Sequence, residues 1–314
     1  MKKLHNMKDI KITMGICALF EKSLLNLIND AIKEKVDEII IVTPNPKIDK
    51  LIKIYSQRYE CNIIKLILED KRRGKSAAIN EILRNASGDI IIMASADVKI
   101  EEGAIKNIVQ RLLSDENIGA VDSHVSLMNS NNGISNNVAH FTWLIHNLTM
   151  IELDSTGRLG HIAGDLYCIR KGIINEIPED IVNDDAYIAM KIQLSGYRVI
   201  HETKSKCYIY GPKNPVDYII QRSRVLYGHL QLFKLLKKYP TTFEFLLFYK
   251  KPQKTLNILK RAIALFRVKG VFTLFIAIIT EFLAIVFMLL YYEILGKGSK
   301  ANIWRVVSST KDFL

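Results

Sequence analysis

Three short stretches of the sequence place charge where a strand or helix has no structural use for it. In GDIIIMASADVKIEEG, residues 88–103, apolar residues run directly into Ser95, Ala96 and Asp97. A buried strand gains nothing from a carboxylate at its tip, so Asp97 is a candidate to hold a ligand. A divalent cation takes carboxylate and phosphate oxygens together and often keeps waters rather than a full protein cage. Upstream, RRGKSAAIN supplies Arg72, Arg73, Lys75 and a helix start, and both the cations and the helix N-terminus stabilise anions. Its GKS is not a phosphate-binding P-loop, because the glycine required five residues before Gly74 is Glu69. A lone acid and a basic turn on neighbouring strands suit a metal-bound diphosphate.

The second stretch is NDDAYIAMKIQLSGYRV, where Asn183, Asp184 and Asp185 open a helix. Either acid alone could serve as a cap stabilised by the helix dipole, but two exceed what a cap requires. One can orient while the other accepts a proton from an incoming hydroxyl. The third is QRSRVLYGHLQ, with Gln221, Arg222 and Arg224 near a helix start. It reads either as a solvated basic face or as guanidinium forks suited to a leaving diphosphate.

The elements that must position these residues alternate. IKITMGI, DEIIIV, NIIKLIL, DIIIMAS and GAVDSHV read as strands. Helices are predicted between them over Ser23–Lys35, Ile48–Tyr59, Lys75–Asn85 and Gly103–Leu113. Such alternation specifies an α/β fold with a parallel sheet covered on both faces, whose ligand crevice opens at the carboxyl ends of the strands. Glu21, the stretch from Thr43 to Asp49, Arg72 to Lys75 and Ser95 to Asp97 then share one rim. NSNNGISNN is expected to be a loop, and GDLYCIRKG and SGYRVI to be further strands completing a mixed sheet.

Residues 233–270 hold ten Lys and Arg against Glu244 alone, a large share of a formal charge of +12. They lead into VFTLFIAIITEFLAIVFMLLYY, Val271–Tyr292, whose single charge is Glu281. At about 1.5 Å per residue this segment matches a bilayer core. Its apolar residues outweigh the cost of one glutamate on the insertion scale, and Glu281 is expected to face protein or a partner. Lys254–Lys269, with Leu256, Leu259, Ile263 and Phe266 at helical spacing, fits a helix on a membrane surface or one packed on a core. The expected organisation is a catalytic part over 1–232, basic interfacial helices over 233–270, a transmembrane helix over 271–292 and a basic tail over 293–314. The basic flank puts the catalytic part on the cytoplasmic side, with a single-pass or interfacial anchor. The polar start MKKLHNMKD is not that of a signal peptide, and four separated cysteines predict neither disulfides nor a zinc site. The basic surplus lies beside the apolar span rather than among stacking aromatics, which argues against nucleic acid.

In order, ICALFEKS, DEIIIV, RRGKSAAIN, ASGDIIIMASADV, GDLYCIRKG, NDDAYIAMKI and QRSRVLYG resemble the inverting, GT-A-type glycosyltransferases of family 2, the group of cellulose, chitin and hyaluronan synthases and polyprenyl-phosphate sugar transferases. The resemblance spans Lys11 to Leu232. It implies a nucleotide-diphospho-sugar transferase fold, a Rossmann-like mixed sheet, and transfer of a sugar from a UDP- or GDP-linked donor with Mg²⁺ or Mn²⁺. By the same resemblance Ala18 and Glu21 line the nucleotide, Arg73 and Lys75 match the basic turn, and Asp97 is the metal and diphosphate ligand. Asp184 and Asp185 match the acidic pair, with Asp185 the base; Gln221 and Arg224 match the Q-x-x-R-W block, and Gly164 and Asp165 the acceptor-side block. Three departures stand out: Ser95 replaces the first acid of D-x-D, TPNPKID replaces D-D-G-S, and Val225 replaces the tryptophan on which a processive enzyme rests its chain. The expected activity is single transfer to a membrane-proximal lipid or glycan acceptor. The alternatives are a catalytically silent scaffold and a sugar-1-phosphate nucleotidyltransferase, the latter disfavoured because CALFEKS stands where it would carry a glycine-rich loop.

Overall fold

The computed structural model describes residues 10–128, 133–155, 161–240, 242, 243 and 252–303. In β2 (Glu38–Thr43) Ile39 and Ile41 enter one core and Ile40 and Val42 the other, all essentially without exposure. β4 (Ile90–Ser95) divides in the same way, Ile90 and Ile92 against Ile91 and Met93. This double burial is why both read as continuous apolar runs. β1 (Ile12–Cys17) lies between them, parallel to each, and β3 (Ile64–Leu68) extends the sheet beyond β2.

Helices fill both faces. α1 (Leu24–Lys33) buries Leu24, Leu27, Ile28 and Ala31, one stripe at helical spacing. α2 (Pro46–Arg58) starts with Asn45 Oδ1 accepting from the Lys47 amide at 3.0 Å and with Pro46 in its first turn. α4 (Ala104–Leu113) joins them against the first core. α3 (Lys75–Asn85) and α6 (Asp184–Leu194) cover the second.

The mixed sheet forms as expected and has eight strands among the described residues, in the order β3-β2-β1-β4-β7-β6-β8-β5. β7 (Leu166–Arg170) is antiparallel to β4 and to β6 (Ile118–Leu127), while β8 (Arg198–Ile209) is parallel to β6. β5 (Lys99–Ile100), which the sequence did not announce, pairs antiparallel with β8. The tract expected to be a loop is only partly one. Residues 129–132 lie outside the described residues, but Ile134 already begins α5 (Ile134–Ser155). Apart from the exposed Ile134 its first turn is polar and half-buried, and its full burial starts at Val138.

α7 (Pro215–Leu236) packs against α5 and reaches the second core through Leu232. Of two further helices, α9 (Gly270–Met288), which continues as a π-helical turn to Ile294, packs beside it, and α8 (Pro252–Phe266) packs on α5 and α9. α8 buries Thr255, Ile258 and Ala262, and of the apolar stripe read in the sequence Leu259, Ile263 and Phe266 pack against the same cluster while Leu256 is exposed. α9 runs parallel to α7: Glu281 takes both Arg222 nitrogens, Nε at 2.9 Å, and Glu293 pairs with Lys234 at 2.8 Å. The chain then folds back, and Lys297–Ile303 docks on the α/β body, with Asn302 Nδ2 donating to Glu179 O at 2.9 Å.

Candidate active site

The carboxyl ends of β1, β2, β3 and β4 open onto one cavity of about 860 Å³. Ten of the eleven residues that the resemblance assigns to the site line it: Ala18, Glu21, Lys75, Asp97, Gly164, Asp165, Asp184, Asp185, Gln221 and Arg224. The exception is Arg73. Its guanidinium turns outward to Glu69, Glu81 and Glu179 at 2.9–3.2 Å, and its neighbour Arg72 faces the cavity instead.

The loop after β1 is shaped by Glu21, which is 2% exposed and whose Oε2 accepts from the amides of Leu19 at 2.7 Å and Phe20 at 2.9 Å. Asn45 Nδ2 donates to Leu19 O at 2.7 Å and ties this loop to the start of α2. The turn bearing Asp97 is held by Ser23, whose hydroxyl donates to Ala96 O at 3.1 Å, and by the Ser95 amide, which donates to Asp165 O at 2.9 Å. Asp97 and the Gly164–Asp165 segment are therefore neighbours through the backbone.

Lys75, in the first turn of α3, places Nζ 2.9 Å from Asp184 Oδ2. Burial disfavours its charged form, but Asp184 and Asp185 more than compensate and raise its pKa. Asp185 behaves in the opposite way. Burial, reinforced by Asp184, raises its pKa to about 7 against the pull of Lys75, the Ala186 amide and Arg224. That amide donates to Asp185 Oδ1 at 2.6 Å. On the other side, Gly164 lies so close that a Cβ there would stand 2.2 Å from Asp185 Oδ2, and its φ of +88° is a glycine conformation. Arg224 projects from α7, with burial lowering its pKa while Asp185 and Asp184 hold the charge. α7 itself is fixed to the start of α6, since Asn183 Nδ2 donates to Val225 O at 2.9 Å and the Val182 amide to Gln231 Oε1 at 3.0 Å. The arrangement can take a proton at Asp185 and hold an anion between Lys75 and Arg224.

Sequence reasoning missed one wall of the cavity: Trp143 and His146 on α5, His161, and His229 on α7. Trp143 and His146 stand at i and i+3, the only local signal; the others come together through tertiary packing. It also missed that Tyr291, Tyr292 and Lys297, beyond α9, close another side.

The donor set suits a shared metal site. Among the described residues no group of three His, Cys, Asp or Glu side chains could hold a metal ion alone. Asp97 offers hard oxygen at the cavity, with the Ser95 hydroxyl beside it, which leaves the remaining positions of a Mg²⁺ or Mn²⁺ ion to phosphate oxygens and water.

Comparison with known proteins agrees with this geometry. The sequence profile of "Glycosyl transferase family group 2" matches residues 90–297. Poly-beta-1,6-N-acetyl-D-glucosamine synthase of Staphylococcus aureus is 23% identical over 212 residues, which are 66% of this chain and 50% of that protein. The probable glycosyltransferase YdaM of Bacillus subtilis is 23% identical over 261 residues, 74% of this chain and 61% of its own. The chain thus spans about half the length of the S. aureus relative. Among solved structures, the mannosyltransferase PcManGT from Pyrobaculum calidifontis, in complex with GDP-Man and Mn²⁺, superposes with a TM-score of 0.58 at 21% identity over 94% of this chain and 85% of that one. GalNAc-T7 with UDP, GalNAc and Mn²⁺ gives 0.50 at 12% identity over 80% and 59%. The fold is that of the GT-A glycosyltransferases, and with a match running from β4 to the docked C-terminal segment, the chain belongs to glycosyl transferase family group 2.

Proposed function

We propose that the protein transfers one sugar per encounter, with inversion, from a nucleotide-diphosphate sugar to a hydroxyl of a membrane-proximal lipid or glycan acceptor. One observation carries the reading: a buried carboxyl with its pKa raised to about 7, Asp185, shares a cavity with Lys75, Arg224 and Asp97. The acceptor oxygen attacks the anomeric carbon from the face opposite the diphosphate. Its bond to carbon forms as the bond from carbon to phosphate oxygen breaks, the electron pair leaves with the nucleoside diphosphate, and the hydroxyl proton passes to Asp185. Lys75 and Arg224, with Gln221 beside them, offset the charge that develops on the leaving group. Arg72 takes the place that the motif gives to Arg73, because Arg73 is engaged by three glutamates. Ala18 and Glu21 border the nucleotide, and Gly164 with Asp165 borders the acceptor. Asp97 would hold Mg²⁺ or Mn²⁺, which supplies positive charge at the diphosphate when bound.

Val225 supports single transfer, since α7 carries no indole beside Arg224 on which a growing chain could rest. The C-terminal helices support a membrane-proximal acceptor. Calorimetry with UDP- and GDP-linked sugars, with and without Mn²⁺, is expected to show metal-dependent donor binding. Nucleotide release to an added acceptor should fall about 10²- to 10⁴-fold in Asp185→Asn. Donor binding without metal dependence and without turnover would instead mark a silent scaffold, and near-normal transfer by Asp185→Asn would reassign the base.

A further inference from the structure

We propose that the indole of Trp143 is the platform for a pyranose ring of the acceptor, with His146, His161 and His229 forming the polar edge of that subsite. The inference rests on the sugar-transfer reading and names the part of the cavity that reading leaves unassigned. The cavity has two chemically distinct walls. The cations Arg72 and Lys75 and the acid Asp97 stand at the strand ends, where a diphosphate belongs. The wall made by α5 and α7 instead presents rings: Trp143 meets His146 edge-on at 5.0 Å between centroids, His146 lies 5.6 Å from His161, and His161 6.1 Å from His229.

The electron-rich face of an indole attracts the polarised C–H bonds of a sugar ring. A neutral imidazole brings one donor and one acceptor, which matches hydroxyl groups that both give and take hydrogen bonds. The three histidines form no metal-holding group. The wall is also tied to the base. His161 precedes Gly164 by three residues, and Gly164 packs directly on Asp185. The Ala163 amide donates to Asp122 Oδ1 at 3.0 Å, and Asp122 Oδ2 lies 3.1 Å from His201 Nδ1, an almost fully buried pair that fixes this segment. A ring resting on Trp143 would share the cavity with the group that takes its proton. With Val225 on α7, the stacking surface has moved to α5.

A pyranose can arrive on a free glycan or on a lipid-linked sugar, and the test separates these. The chain has two tryptophans, and Trp304→Phe leaves Trp143 as the sole emitter. This full-length protein in detergent, with UDP present, is titrated with an N-acetylglucosamine pentasaccharide, with polyprenyl diphosphate N-acetylglucosamine and with polyprenyl phosphate lacking sugar. A saturable change in indole emission with either sugar-bearing probe supports the subsite and identifies the source. A response to polyprenyl phosphate alone, or to none of the three, overturns it. Trp143→Ala should raise the acceptor KM about tenfold or more, with Trp143→Phe recovering most of the loss; an unchanged KM also overturns it. Donor calorimetry on the same Trp304→Phe protein distinguishes the failures: donor binding without an acceptor response removes this subsite only, whereas no donor binding removes the sugar-transfer reading as well.

Discussion

Asp185 balances opposed demands. Burial and the adjacent Asp184 favour its neutral acid, while Lys75, the Ala186 amide and Arg224 favour the carboxylate, and the balance leaves its pKa at about 7. Only the carboxylate accepts a proton. Transfer should therefore rise with pH, with an acid limb of unit slope centred near 7 and a plateau above it, measured as kcat/KM between about pH 5.5 and 8.5. A limb centred below pH 5 would place the base elsewhere. The same shift has a cost in stability. An unfolded aspartate titrates near 3.8, so the folded state binds the extra proton, and stability contributed by the acid form is lost as pH rises from about 4 to about 7. Asparagine cannot ionise. Asp185→Asn is expected to lose transfer yet gain stability, on the order of a few kcal/mol at pH 8 and much less at pH 5, read from denaturant midpoints.

At the scale of elements, α7 brings Arg224 to Asp185 because Gly228 lets it lie against the start of α6. A Cβ at Gly228 would stand 2.4 Å from the Asn183 Cγ, and Asn183 is buried. Gly228→Ala should push α7 outward, costing about 1–3 kcal/mol by overpacking and about tenfold or more in kcat as Arg224 moves off the leaving group. A fall in melting temperature without a fall in kcat would show that the docking is structural only. The strands and α1 to α4 were legible because periodicity is local: apolar runs bounded by turns fold as they read, and the ends of parallel strands share a rim. Non-local packing was not legible. Arg73 and Arg72 are equivalent in sequence, and which one faces the cavity depends on Glu81 and Glu179. Trp143, His161 and His229 meet only after α5, the segment before β7 and α7 have packed. The polar start of α5 reads as loop because no residue of its first turn is fully buried, and the return of Lys297–Ile303 to Glu179 follows from contacts far away in sequence.

At the scale of the whole molecule, α9 lies against the body with one apolar side exposed. Among the described residues it is the one helix long and apolar enough to cross a membrane, by length and composition, and only 17% of its most apolar window is buried. Yet it is held on the body along its length: Gly270 and Thr273 are buried near its start, Glu281 at its middle and Glu293 past its end pair with α7, and the residues that follow reach Glu179. Phe272, Phe275, Ile278, Ile279 and Phe282 are exposed along one side, while Thr273, Ala284 and Met288 are buried on the other. A helix held in this way is expected to lie at the bilayer interface, with its apolar side among acyl chains and the exposed Lys260, Arg261, Arg267 and Lys269 near anionic headgroups. This placement would also set the cavity, closed on one side by Tyr291 and Tyr292, at the depth where a membrane-bound acceptor presents its hydroxyl. The expectation separates cleanly from a transmembrane anchor. In a background lacking Cys17 and Cys61, single cysteines at Arg267 and Gly296 flank the helix, and the full-length protein is bound to phosphatidylglycerol vesicles. A membrane-impermeant maleimide added outside should label both positions, and alkaline carbonate should release the protein. Replacing Phe272, Phe275, Ile279 and Phe282 by serine should abolish vesicle binding. Labelling of position 267 from one face only and of 296 from the other, with resistance to carbonate, would establish a span instead.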